Sequence, residues 1–122
     1  MTAHVTVPAL APWITGNAST NRHWRHRQKL VKAWRETAAL HARAAARTPV
    51  KSPFAVTAVI YRADNRLYDL DGMSTVKACI DGLRDAGLIA GDDVRHMRRY
   101  TVEAATPDPA HPRVELTIEE TP

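Results

Sequence analysis

The sequence predicts one α/β domain over residues 1–122, a mixed sheet with helices packed on it in the order β-α-β-α-β-β. Three stretches carry that expectation. Residues 54–62 (FAVTAVIYR) are rich in β-branched and aromatic side chains and read as a buried strand. Met73, Val76, Cys79, Ile80 and Leu83 recur at helical spacing and make an apolar stripe. Residues 113–119 (RVELTIE) alternate, with Val114, Leu116 and Ile118 on one face. A chain of 122 residues fits one domain with a modest core.

From the N-terminus, residues 4–7 (HVTV) make a short first strand. Pro8, Pro12 and Gly16 then break the chain into a loop, with Asn17, Ser19 and Thr20 as turn-formers and helix caps. The first helix is expected over 24–46. Leu30, Trp34, Ala38 and His41 recur there at near-helical spacing, and Arg25, Lys29, Lys32, Arg35 and Arg43 fill other positions. Pro49 closes it. After the strand at 54–62, residues 63–71 continue extended or turn, keeping Asp69 within a few residues of a strand end. The second helix covers 72–86, and Gly87 suits its C-terminal cap. A loop with Asp92 and Asp93 leads to a strand at 97–105, ended by Pro107, Pro109 and Pro112. Trp34 and Cys79 lie on apolar stripes and are read as core, whereas Trp24, between His23 and Arg25, is more open to base stacking.

Composition excludes several classes. Hydrophobic residues make up 44% and charged residues 25%, the balance of a soluble protein, and no run approaches a membrane span. The N-terminal residues lack the pattern of a secretory signal. A single cysteine, Cys79, forms no internal disulfide, and a Cys-based zinc site would lack partners; His23 and His26 also lack further zinc ligands. A reducing cytoplasm is the expected compartment. The net charge of +4 favours a polyanionic partner. Charge is unevenly spread: Asn21 to Lys51 holds nine Lys or Arg against one acid, Glu36, whereas Asp64 to Asp93 holds seven acids against three bases.

That concentration of acid in a basic protein asks for a reason. In an extended chain Asp69 and Asp71 share one face while Leu70 points into the core. Two close carboxylates repel unless a cation separates them, and hard cations such as Mg²⁺ take such oxygen ligands. Asp92 and Asp93 follow one helix later. A helix packed back on the sheet can return them to Asp69 and Asp71, with Lys77 reaching the same place from a face distinct from the apolar stripe. Each acid also has an ordinary role open to it. Asp71 can cap the helix, Asp92-Asp93 can be a solvated turn, and Asp81 can pair with Lys77 or Arg84.

Taken together the motifs resemble a family. Tyr68-Asp69-Leu70-Asp71-Gly72, Lys77-Ala78-Cys79-Ile80-Asp81-Gly82-Leu83, Ala86-Gly87-Leu88-Ile89 and Asp92-Asp93 are similar to the signature of RusA-type Holliday junction resolvases. Ser74-Thr75 before the lysine looks like its bacteriophage and actinobacterial branch. Asn21-Arg22-His23-Trp24-Arg25 and Lys32-Ala33-Trp34-Arg35 extend the likeness over residues 17–100. Gly72 stands where that family usually has Asn.

The resemblance implies a homodimeric, Mg²⁺-dependent endonuclease, with Mn²⁺ as an alternative ion, that cuts four-way DNA junctions in recombination and repair. Asp69, Asp71 and an acid of the Asp92-Asp93 pair would be metal ligands and Lys77 the catalytic lysine. Counting from Gly87 favours Asp92, and matching the pair favours Asp93. Arg22, Arg25, Arg27, Lys29 and Lys32, with Arg95, Arg98 and Arg99, are expected to hold DNA backbones. The rival expectations are a nuclease preferring flaps or forks, and a non-catalytic dimer that binds branched DNA.

Overall fold

The computed structural model describes residues 1–14, 24–70 and 73–122. They form a single α/β domain with a mixed four-stranded sheet and two helices: β1 (Thr2–Pro8), α1 (Trp24–Ala45), β2 (Phe54–Tyr61), α2 (Ser74–Asp85), β3 (Met97–Ala104) and β4 (Arg113–Glu120). The strand order is β1-β4-β2-β3. β4 runs antiparallel to both β1 and β2, and β3 runs parallel to β2, a pairing that needs the crossover α2 supplies.

Period-two alternation in the strands decides what is buried. Val5 and Val7, Phe54, Val56, Ala58 and Ile60, and Val114, Leu116 and Ile118 turn to one face and are at most 1% exposed. They join Trp34, Ala38 and Ala42 of α1 and Val76, Ala78, Cys79, Ile80 and Leu83 of α2 in one core, so both helices lie on that face. The alternate residues of β2 stay half-buried, so only one face of this strand is fully covered.

α1 departs from its expected stripe. Trp34 and Ala38 are buried as expected, but Leu30 and His41 are only half-buried, and the contact continues through Ala39 and Ala42. Alanine permits close approach there. α1 and α2 meet at Gly82, where a Cβ would press on the backbone oxygen of Arg35 and lie 2.7 Å from the Ala38 Cβ. Arg35 adds an ion pair to Asp85 across the same interface.

Two local corrections concern the acidic segment. β2 ends at Tyr61, eight residues before Asp69, which therefore sits in an irregular loop and not near a strand end. Leu70 does not enter the core; its side chain is 38% exposed. With no strand pairing through 63–70, no pleat dictates which way these side chains point.

Candidate active site

Helix α2 and the turn after it assemble the site. The N-cap position is Met73, whose side chain makes no capping bond, so α2 is anchored by its second residue instead. The Thr75 hydroxyl accepts from the Ile14 backbone N–H (2.7 Å) and donates to the Ile14 carbonyl (3.1 Å). At the other end Gly87 has φ +77°, the left-handed conformation that favours glycine. Gly87 N–H donates to the Arg84 carbonyl and Leu88 N–H to the Leu83 carbonyl, both at 3.0 Å, which is the bond pattern of a Schellman cap. Leu88 and Ile89 are then buried at 3% and 2%, which turns the chain back along α2 and brings Asp92 to Lys77.

Lys77 is the centre of the cluster. Its Nζ donates to Asp92 and, at 3.0 Å, to Asp81 one turn along the helix. Arg84 Nη1 stands 3.9 Å from the other Asp92 oxygen. The hydrogen bond from Lys77 holds the Asp92 carboxyl below its ordinary value despite partial burial, and the Lys77 ammonium is raised by the bond to Asp92 first and Asp81 next. The acid pair is split. Asp93 turns away to Arg95, at 2.9 Å, and accepts the Arg95 backbone N–H at the same distance, which takes its carboxyl down to about 2. Of the two registers open to the sequence, Asp92 is the acid placed against Lys77.

Beside this cluster runs a groove of about 540 Å³ between α2 and β3. Met73, Lys77 and Ile80, spaced i, i+4 and i+7, line one wall, and Met97, Tyr100 and Val102 the other. Met97 and Tyr100 are three apart yet face the same groove, because the register of β3 slips by one residue at Arg98: Phe54 opposes Met97 and Ala55 opposes Arg99. Leu70, Ser74 and Asp92 complete the lining.

The remaining expected residues are distributed as follows. Asp69 is exposed in the loop that leads to Leu70. Asp71, Arg22 and His23 lie outside the described residues. Among the described residues no three His, Cys, Asp or Glu are grouped so as to hold a metal ion. Arg27 donates to Ser74 Oγ at 2.6 Å, so the start of α1 borders the start of α2 and the groove. Arg25 and Lys29 are exposed; Lys32 is exposed with Glu36 3.8 Å away. Arg98 and Arg99 are exposed on β3, and Arg95 is engaged by Asp93. Trp24 is 54% exposed, with the Arg25 guanidinium 5.7 Å from its ring.

Four residues take parts that the sequence reading did not assign: Thr75 anchors α2, Met97 and Tyr100 form a wall, and Arg62 lies against the Tyr68 and Trp13 rings. A hydroxyl next to a motif serine carries no signal of a long-range bond, and the bulge that re-aims Met97 has no glycine to mark it. No helix among the described residues is long and apolar enough to cross a membrane. Searched against protein-family models and curated proteins, the chain matches none.

Proposed function

We propose that the protein is a Mg²⁺-dependent, structure-specific endodeoxyribonuclease that acts as a homodimer on four-way DNA junctions. The observation that carries this reading is the convergence of Lys77 and Asp92 in a groove bordered by basic residues and by the loop bearing Asp69. A surface ion pair alone is common and worth little. Here it joins the two motifs whose spacing resembles the resolvase signature, and it lies where Arg27 brings the basic end of α1.

A hard divalent cation takes carboxylate oxygens. Asp92 lines the groove, and with it Asp69 and Asp71 would be the residues to hold Mg²⁺ or Mn²⁺. Asp93, already engaged by Arg95, is the weaker candidate. When bound, such an ion activates water and offsets charge on a phosphoryl oxygen. Lys77 then has two duties. Its ammonium holds Asp92 in place, and it offers positive charge to the scissile phosphate or the leaving oxygen. Asp81 keeps that ammonium on the groove side of α2. Arg25, Arg27, Lys29 and Lys32 hold the backbones of the arms, and Arg98 and Arg99 extend the basic surface along β3. A two-fold dimer would set two such sites on two strands of one junction.

The test is cleavage of matched four-way, flap, fork and linear DNAs with and without Mg²⁺, using the wild type and Asp71→Asn. The expected result is Mg²⁺-dependent cutting of the junction, lost in Asp71→Asn with junction binding retained. Preferential cutting of flaps or forks would move the substrate and keep the chemistry. Absence of cleavage by the wild type with Mg²⁺ or Mn²⁺ would leave a protein that binds branched DNA without cutting it.

A further inference from the structure

β3 is an edge of the sheet, and no backbone hydrogen bond from the other described residues reaches its outer side. The Ala105 N–H donates to the Ile60 carbonyl at 3.0 Å, so Ala105, and by strand alternation Glu103, Thr101 and Arg99, turn their backbone groups toward β2. Tyr100 and Val102 therefore turn theirs to the bare edge. Their side chains oppose Val56 and Ala58 and lie on the helix side of the sheet. Those of Arg99, Thr101 and Glu103 oppose Ala55, Thr57 and Val59 and lie on the open side.

Edges of monomeric proteins are commonly blunted by proline, repelling charge or a bulge. From Arg99 to Glu103 this edge has no proline and no bulge, the slip at Arg98 lying before it. What it has is two opposite charges placed symmetrically about Thr101. Arg99 and Glu103 are exposed, and among the described residues neither makes an ion pair. A two-fold axis perpendicular to the sheet keeps each side chain on its own side, so an antiparallel pair of β3 strands can only set same-side residues opposite each other. Arg99 against Arg99, or Glu103 against Glu103, brings like charges face to face. Tyr100 against Tyr100, or Val102 against Val102, matches neither charge with the other. Thr101 against Thr101 matches Arg99 with Glu103 twice, and sets an aromatic, Tyr100, against a β-branched Val102 on the helix side.

We propose that β3 is the interface with a second copy of this chain, paired antiparallel about Thr101 so that the two sheets become one. Tyr100 and Val102 exchange N–H···O bonds with Val102 and Tyr100 of the second copy, and Arg99 and Glu103 form two ion pairs across the axis. The pairing covers Tyr100, which is 48% exposed in the single chain. It puts the helices of both copies, and both Lys77–Asp92 clusters, on one side of the joined sheet. It engages Arg99 and leaves Arg98, at the bulge, to DNA. This names the interface of the homodimer proposed above and rests on that homodimer, not on the nuclease chemistry.

The experiment is sedimentation at micromolar concentration of the full chain, of Arg99→Glu, of Glu103→Arg, of the double variant, and of an equal mixture of the two single variants. Each is first checked for cooperative thermal unfolding. The wild type is expected to be a dimer. Each single reversal sets like charges opposite each other at both ends of the pairing and should raise the dimer dissociation constant about tenfold or more. The double variant should recover the dimer, and so should the mixture, in which only mixed pairs are complementary. Thr101→Cys should cross-link across the axis on mild oxidation, because non-hydrogen-bonded antiparallel partners stand about 4.5 Å apart at Cα, within reach of a disulfide. The native Cys79 is buried and does not compete. A monomeric wild type overturns the proposal and leaves the edge to a strand of another protein. So does a dimer that neither reversal weakens, a loss that neither the double variant nor the mixture restores, or a Thr101→Cys protein that stays uncross-linked. Arg99→Glu that loses junction affinity while remaining dimeric makes Arg99 a DNA contact and also overturns it. The nuclease reading fails separately: a wild type that dimerises with this charge pattern yet cuts no DNA keeps the interface, and a monomer that cuts junctions keeps only the chemistry.

Discussion

Replacing Thr75 with valine tests how α2 is anchored. The substitution keeps the β-branched shape and removes only the hydroxyl that serves both the N–H and the carbonyl of Ile14. Thr75 and Ile14 are 0% and 2% exposed, so water cannot readily take over either bond. A buried backbone group left without a partner costs about 1–3 kcal/mol, and the pair together roughly 2–4 kcal/mol. Unfolding entropy scales to about 0.26 kcal/mol per kelvin for a chain of this size, so the melting temperature should fall by about 8–15 °C. Thr75→Ser separates hydrogen bonding from packing. It keeps the hydroxyl and loses a methyl, worth about 1 kcal/mol. Calorimetry or urea unfolding should therefore rank wild type above serine and serine above valine. Valine within about 0.5 kcal/mol of wild type, or above serine, would refute the anchoring role, because ordinary surface substitutions fall within that range.

Four further outcomes are expected. Gly82→Ala gains about 1 kcal/mol of helix propensity but forces α1 and α2 apart, so it should be net destabilising by roughly 1–3 kcal/mol; an equal or higher melting temperature would show that the helix interface yields. Burial pushes the Cys79 thiol up, so a thiol reagent should label it only on unfolding, and rapid labelling of the native protein would contradict the core placement. Lys77→Met should raise the Asp92 carboxyl pKa, read by carboxyl NMR. Because Asp92 titrates lower when folded than unfolded, its contribution is present above the unfolded value and fades as pH falls through the folded one, so the stability gap between wild type and Lys77→Met should narrow in acid. Joint replacement of Arg25, Lys29 and Lys32 by Ala should reduce the slope of junction affinity against salt by up to about 0.9 for each phosphate that is no longer neutralised, and an unchanged slope would place this face away from DNA.

What could be read from sequence follows from how local each signal is. The alternation of RVELTIE and the stripe from Met73 to Leu83 mark burial because strand and helix geometry fix which side chains share a face. Gly87 was legible for the same reason: a left-handed cap is a local demand. Leu70 lies outside the core because a pleated chain would be needed to aim it inward, and the structure has an irregular loop there. His41 and Leu30 gave way to Ala39 and Ala42 because close helix packing selects small residues, which composition does not distinguish from helix filler. The partition of Asp92 to Lys77 and Asp93 to Arg95 depends on where the turn after Gly87 deposits each carboxylate, and two adjacent identical residues offer no local means of telling them apart.

The placement of β4 has a consequence for how the chain comes together. β4 follows every other strand in the chain yet lies between β1 and β2 in the sheet. Thr2 opposes Glu119, and the Met1 amine sits 3.4 Å from the Glu120 carboxylate. On the ribosome, β1 therefore waits for a partner through the synthesis of more than a hundred residues, with α1 available to pack against but no strand to pair with. β2 can take β3 on one side while its other edge stays bare. Such edges invite pairing with other chains, and long-range closure of this kind is slow. Arrest of translation before residue 113 would yield a product with β1 severed from β2 and β3, a natural client for chaperones or proteases.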